Sequence, residues 1–301
     1  MKVNQSIPKH LRYGVRDFDR QFPNDDACLE YLKEQRWPNG IAPCSKCGKE
    51  RKHHRIVGRT AYSCDYCGTQ IYPLVGTIFE KTSTSLRTWF YAMYLMGSTR
   101  CGISAKQIQR ETGVTYKTAW RIFHQIRTLL SEGDLQLEGP TVEMDETFYG
   151  GKRKYEAGRM LRGDKRGTPI VGIVQRNWMA IAKVTKNVTA YTLLSLAQKH
   201  ITPGSLIYTD EAKTYHRLRH IGFKHLTIRH KAKQYVKGQI HTNNVDGLWS
   251  LLKRGIGGVY HSVGDKYLQS YLDEYCFRFN YRFEGNLQFK RILERASKRV
   301  S

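Results

Sequence analysis

A chain of 301 residues, 40% hydrophobic and 12% aromatic, can bury a sizeable core and carry one or two small modules besides, so two or three domains are expected. Lysine and arginine number 50 against 26 acidic residues, and the net charge of +24 implies a polyanionic partner, nucleic acid before anionic membrane. No apolar run approaches the roughly 20 residues that span a bilayer, and the opening MKVNQSIPKHLRYGVRDFDR lacks the apolar core of a signal peptide, so a cytoplasmic, nucleoid-associated protein is expected.

In chain order, Phe22, Cys28, Leu29 and Leu32 recur at helical spacing after the candidate cap Asn24, which predicts a short amphipathic helix packed against the cysteine module that follows. Cys44-Ser-Lys-Cys47-Gly and Cys64-Asp-Tyr-Cys67-Gly are two knuckles separated by 16 residues, the spacing of a four-thiolate zinc site. Four thiolates leave zinc no open position, so the site is expected to be structural. Lys46, Lys49, Arg51, Lys52 and Arg55 suggest a DNA-contacting ribbon, with His53 and His54 read as exposed residues rather than further ligands. Cys28, Cys101 and Cys276 stand alone and read as small core residues of a reduced compartment.

The apolar segment Ser85 to Met96 predicts a buried helix, and the stretches SAKQIQRET and YKTAWRIFHQIRTLL, parted by Gly113-Val114-Thr115, have the punctuation of a helix-turn-helix. In its second helix Ala119, Ile122, Phe123 and Ile126 face the core, while Lys117, Arg121 and Gln125 offer groups suited to phosphates and base edges. From Thr141 onward the texture turns strand-like, through TVEMDETFYG, PIVGIVQ and MAIAKV, followed by a helix near Ala190 to Lys199, a strand from Ser205, a helix over Ala212 to Arg219 and a strand near His225 to Ile228. A basic stretch runs from His225 to Lys237.

Asp145 lies in the first of these strands between apolar neighbours, Asp210 ends the strand SLIYTD, and Asp246 opens the amphipathic helix NNVDGLWSLLKRGI after a gap of 35 residues. Any one of these acids reads as a cap or a solvated strand end. Together they match the way an RNase H-like sheet gathers carboxylates around two divalent ions, and hard oxygen ligands select Mg2+ or Mn2+ for in-line phosphoryl displacement. Strand alternation turns Glu146 away from the face of Asp145, and Trp249 reads as a core anchor.

On the two knuckles, VEMDETFYGGK, IYTDEAKTY, HTNNVDGLWSLLKRGIGGVYH and the closing YLDEYCFRFNYR, the chain resembles the DDE transposases of insertion sequences that carry an amino-terminal zinc ribbon, an ISXO-like group related to the Merlin superfamily. The resemblance implies an enzyme that binds the terminal inverted repeats of a mobile element, cleaves at its ends and joins them to target DNA, assembled as a homo-oligomer on double-stranded DNA. It carries Asp145 and Asp210 over as metal ligands. The third ligand is Glu, Asn or His in the family; Asp246 stands where Glu is most familiar, with Asn243 or Asn244 as the alternative. Lys253, two helical turns beyond Asp246, corresponds to a lysine that contacts DNA near the cleaved phosphate, with Arg254 beside it.

The expected organisation is α/β: a helix and zinc ribbon over residues 1–80, a helix-turn-helix over 81–135, and an RNase H-like catalytic domain with a mixed sheet flanked by helices over 136–301. Two other readings stay open, a nuclease or resolvase without strand transfer and a zinc-ribbon DNA-binding regulator whose nuclease-like domain is inactive.

Overall fold

The computed structural model describes residues 8, 12–150, 155–156, 159–160, 167–176, 179–228 and 241–298. They form two compact units, residues 1–129 with 283–301 and residues 130–282.

The first unit begins with α1 (Val15–Gln21) and α2 (Asp25–Arg36), the latter capped by Asn24, whose side chain accepts a hydrogen bond from the Ala27 amide at 2.9 Å. A four-stranded antiparallel sheet follows, β1 (Ile41–Pro43), β2 (Glu50–Arg55), β3 (Tyr62–Cys64) and β4 (Gln70–Ile71), paired in chain order. As expected, α2 packs against this module: Tyr62 donates to Glu30 at 2.7 Å and Arg55 pairs with Asp26 at 2.7 Å. The buried α3 (Leu86–Ser98) precedes a pair of helices, α4 (Ala105–Thr112) and α5 (Tyr116–Thr128), that contact each other across the three-residue link Gly113-Val114-Thr115.

In the second unit β5 (Thr141–Tyr149) is followed by a short hairpin of β6 (Tyr155–Glu156) and β7 (Arg159–Met160), then β8 (Thr168–Gln175), β9 (Ala180–Val184), α6 (Ala190–His200), β10 (Leu206–Thr209) and β11 (Lys224–Thr227). The five-stranded mixed sheet has the order β11-β10-β5-β8-β9, with β5, β8 and β9 antiparallel and β10 and β11 parallel to β5. Next come α7 (Asn243–Gly255), a π-helical turn (Ile256–Tyr260) and α8 (Asp265–Asn280). Strand alternation splits the core in two: Val142, Met144, Val171 and Ile173 pack under α6, while Ile170, Val174, Ala180 and Ala182 pack under α7 and α8.

The outer strand β9 is closed by side chains rather than by another strand. Gln269 of α8 accepts from the Val184 amide and donates to the Ala182 carbonyl, and Asn280 does the same for Ala180, at 2.7 to 3.1 Å. Polar caps of this kind blunt a sheet edge that would otherwise pair with another chain.

Several expectations shift. The segment expected as a helix from Ala212 is a 3-10 helix, Lys213–Ile221; three residues per turn put Tyr215, Leu218 and Ile221 on one face against the core. Cys101 is exposed rather than buried, because it sits in the surface link between α3 and α4. His53 is buried rather than exposed, on the inward face of β2. The final helix, α9 (Gln288–Ala296), packs on α3 of the first unit, through contacts such as Tyr94 to Phe289 at 5.7 Å, so the second unit ends at Arg282 where the sequence reading runs its last domain to residue 301. Gly151, Lys152 and the basic stretch beyond Ile228 lie outside the described residues.

Candidate metal centres

The two cysteine knuckles are built alike. In each, the first cysteine's amide donates to the residue five positions on (Cys44 to Lys49 at 3.0 Å, Cys64 to Thr69 at 2.9 Å), and the glycine after the second cysteine donates back to the first cysteine's carbonyl at 2.9 and 3.1 Å. Gly48 and Gly68 make this closure at φ of +64° and +74°, a conformation that costs other residues a steric penalty. The result brings all four sulfurs within 4.8 Å of one another, with Cys44 and Cys67 3.5 Å and Cys47 and Cys64 4.0 Å apart. A tetrahedral zinc with bonds of about 2.3 Å requires sulfur separations of about 3.8 Å, so the donor set fits that ion. The Thr69 hydroxyl, 3.1 Å from Cys67 Sγ, lowers that thiol to about 6 and favours the thiolate. His53, opposite Cys64 in the sheet register, takes no part in the cluster; its Nδ1 lies 2.9 Å from the Arg51 carbonyl.

On α5, Lys117, Arg121 and Gln125 are exposed along one face, and Ala119, Ile122, Phe123 and Ile126 are buried. Thr115 caps the helix by accepting from the Thr118 amide at 3.3 Å. Arg121 already reaches Thr84 at 3.2 Å and lies over the Trp89 ring, so its guanidinium is presented in a restrained pose.

The acidic residues of the second unit gather on and beside β5. Asp145 faces the α7 layer, where the Trp249 indole N–H donates to its Oδ2 at 2.8 Å. Burial raises the Asp145 carboxyl to about 7; the Trp249 hydrogen bond opposes that rise, while the charges of Glu146, Asp210 and Asp246 reinforce it. Asp210, just beyond β10, accepts from the Ala212 amide at 2.9 Å in a tight turn that fixes the strand end. Asp246 is exposed in the first turn of α7, with the Thr242 hydroxyl 3.5 Å from its Oδ2. Lys253 and Arg254 are exposed on the last turn of the same helix, and the Arg254 Nε donates to the Ser250 carbonyl at 3.2 Å.

Among the described residues only the four cysteines form a set of three or more metal-ligating side chains within 4.8 Å of one another. The three aspartates are spread more widely, yet close enough for Asp210 and Asp246 to push up the Asp145 carboxyl. Hard oxygen donors of this kind fit divalent cations such as Mg2+ or Mn2+.

For the third position, Asn244 donates from Nδ2 to Glu143 at 2.7 Å, so its amide is engaged inside the unit, whereas Asn243 is exposed with its backbone amide 3.4 Å from His241 Nδ1. Glu146 turns to the opposite layer, as alternation requires, and accepts a short hydrogen bond from the buried Tyr215 hydroxyl. Three roles escaped the sequence reading: that of Glu143, which reads there only as flanking the ligands, that of Arg176, and the polar one of Trp249. The first had a visible signal, since Glu143 and Asp145 alternate onto one face of a strand whose other face carries Val142 and Met144.

The fold and its sites thus define a class: a two-unit protein with a zinc-type cysteine cluster in one unit and an acid-lined mixed sheet in the other. Residues 136–280 match the family of the ISXO2-like transposase domain and residues 23–70 that of the transposase zinc-ribbon domain. The chain belongs to this family of insertion-sequence transposases. It is similar to an uncharacterized protein in transposable element ISH50 of Halobacterium salinarum, 27% identical over 300 residues, covering 92% of this chain and 98% of that protein. It is also similar to an uncharacterized transposase-like protein of Haemophilus influenzae, 28% identical over 97 residues, 32% of this chain and 77% of that protein. No helix among the described residues is long and apolar enough to cross a membrane.

Proposed function

We propose that the chain binds the terminal inverted repeats of an insertion sequence, cleaves DNA at the element ends and joins them to target DNA by metal-dependent phosphoryl transfer, through an RNase H-like domain. The observation that carries this reading is Asp145: it is held in place by Trp249, and its carboxyl is raised to about 7 by burial, with the charges of Asp210 and Asp246 adding to the rise. A buried acid whose rise is reinforced by neighbouring acids is the electrostatic signature of a site suited to cations.

In this reading Asp145, Asp210 and Asp246 hold the divalent ions, with Asn243 as the alternative to Asp246. Bound there, the ions would activate the attacking oxygen and stabilise the leaving one. The chain's own contribution is placement. Asp145 is oriented by an indole N–H, Asp210 by the turn onto Ala212, and Asp246 by its position in the first turn of α7. Lys253 and Arg254, exposed on the last turn of that helix, supply cations for the phosphates of the DNA end.

In the first unit α4 and α5 serve as the helix-turn-helix, with Lys117, Arg121 and Gln125 directed to DNA, and the zinc ribbon has a structural role beside it. The protein acts as a homo-oligomer assembled on DNA, in the cytoplasm at the nucleoid. The test is incubation of the full-length protein with Mg2+ and a DNA fragment bearing the element's ends. Nicked and joined products, absent with Asp145→Ala, support transposition. Cleavage without joining indicates a nuclease, and binding without cleavage a regulator.

A further inference from the structure

Glu143 carries a carboxylate into the core of the second unit with no solvent exposure. Two of its contacts are backbone amides of α7: Oε2 accepts from Asn244 N at 2.8 Å and from Val245 N at 3.2 Å. Oε1 accepts from Asn244 Nδ2 at 2.7 Å and from Arg176 Nε at 2.8 Å. Arg176 in turn donates to the His241 carbonyl at 3.0 Å and lies over the Tyr208 ring, which clamps the chain as it enters the helix.

The first amides of a helix have no intrahelical acceptor, and a negative charge beside them is favoured by the helix dipole. The residue at the cap position of α7, Thr242, makes no side-chain cap bond. Glu143 does that work from another element. A buried carboxylate is costly unless it is fully hydrogen-bonded, and here the bonds that satisfy it are those that hold the first turn of α7.

The placement gives the contact a second consequence. Glu143 and Asp145 are alternate residues on one face of β5, and Val245 and Trp249 are one turn apart on the buried face of α7. The strand and the helix are therefore pinned twice, by Glu143 to the Asn244 and Val245 amides and by Asp145 to Trp249, and Asp246 lies between the two pins. We infer that Glu143 is a positioning residue of the acidic centre, setting the distance between Asp145 and Asp246 without touching metal or DNA. This rests on the proposal that those aspartates hold divalent cations.

The test uses the full-length protein as wild type, Glu143→Gln, Asn244→Ala and Glu274→Gln. Glu274 forms a buried ion pair with Arg278 at 2.8 Å on α8 and serves as the control for loss of a buried carboxylate elsewhere in the unit. Mn2+ binding is read by electron paramagnetic resonance of the free ion, and the Mg2+ dependence of end cleavage is titrated in parallel. Loss of a group that orients a metal ligand weakens metal affinity by about 10- to 100-fold, so Glu143→Gln should require about tenfold more Mn2+ and Mg2+ and recover cleavage when the metal saturates. Asn244→Ala, which removes one rung and leaves the charge and the backbone bonds, should shift both curves less and in the same direction, and it remains decisive if Glu143→Gln fails to fold. Glu274→Gln should lower the melting temperature and leave both curves in place. Wild-type metal affinity in Glu143→Gln, or in Asn244→Ala where the first variant does not fold, overturns the positioning role and leaves the site proposal standing, as do equal shifts in the Glu274→Gln control. A wild-type protein that binds no Mn2+ overturns the site proposal and this inference with it.

Discussion

The Trp249 indole N–H donates to Asp145 Oδ2 at 2.8 Å, and the same indole ring lies on Gly172, the cross-strand partner of Asp145 on β8. A Cβ at residue 172 would stand 2.6 Å from the ring, so the glycine is what lets the tryptophan reach the aspartate. One side chain thus fills the core and orients a candidate metal ligand. Trp249→Phe keeps most of the packing and removes the donor, so strand transfer should fall about tenfold or more while the melting temperature changes little. Gly172→Ala should instead destabilise by about 1 to 3 kcal/mol through overpacking, read by thermal unfolding. Full activity in Trp249→Phe would remove the orienting role.

Zinc content is the measure of the cysteine cluster. Cys64→Ser and Cys67→Ser should each lose the metal, unfold the ribbon and weaken DNA binding, while the second unit keeps its own melting transition. Unchanged zinc in both variants would refute the assignment.

The raised Asp145 carboxyl makes a pH prediction with a definite sign. An acid whose folded value, about 7, lies above its ordinary value of 3.8 binds its proton more tightly in the folded chain, so in metal-free protein stability is lost as pH rises through that window. Asp145→Asn removes this dependence, and the difference in melting temperature between wild type and variant should grow in the variant's favour from pH 5 to pH 8. Divalent ions compete with the same proton, so Mg2+ should stabilise the wild type more at pH 8 than at pH 6. Parallel pH profiles for the two proteins would count against a protonated Asp145.

The ligand set separates binding from chemistry. Asp145→Ala, Asp210→Ala and Asp246→Ala should keep DNA affinity, or raise it slightly by removing repulsion, and reduce strand transfer by several orders of magnitude. Asn243→Ala should be the milder change if Asp246 holds metal. Abolished activity in Asn243→Ala beside an active Asp246→Ala would reverse that choice.

The net charge of +24 predicts strong counterion release. Log affinity for an element end should fall steeply and linearly with log salt. Affinity that stays level between low and physiological salt would show that the basic residues serve something other than phosphate.

The features legible in the sequence are those encoded by near neighbours in the chain. Two residues between thiolates and a glycine after them define a knuckle whatever surrounds it, Asn24 caps the helix that begins at the next residue, and the apolar periods of α3, α5 and β5 report which face each element buries. Tertiary structure decided the rest. Glu143 reads in the sequence as one more polar residue of an alternating strand, and its partners on α7 lie 101 and 102 positions away; Trp249 reads as core, and its partner lies 104 positions away. His53 is in a run of basic residues that looks solvated until the sheet closes over it, and α9 joins the first unit although it follows the second. A local pattern can specify which face of a strand or helix turns inward, but the partner that satisfies a buried charge there is set by which distant element packs on that face.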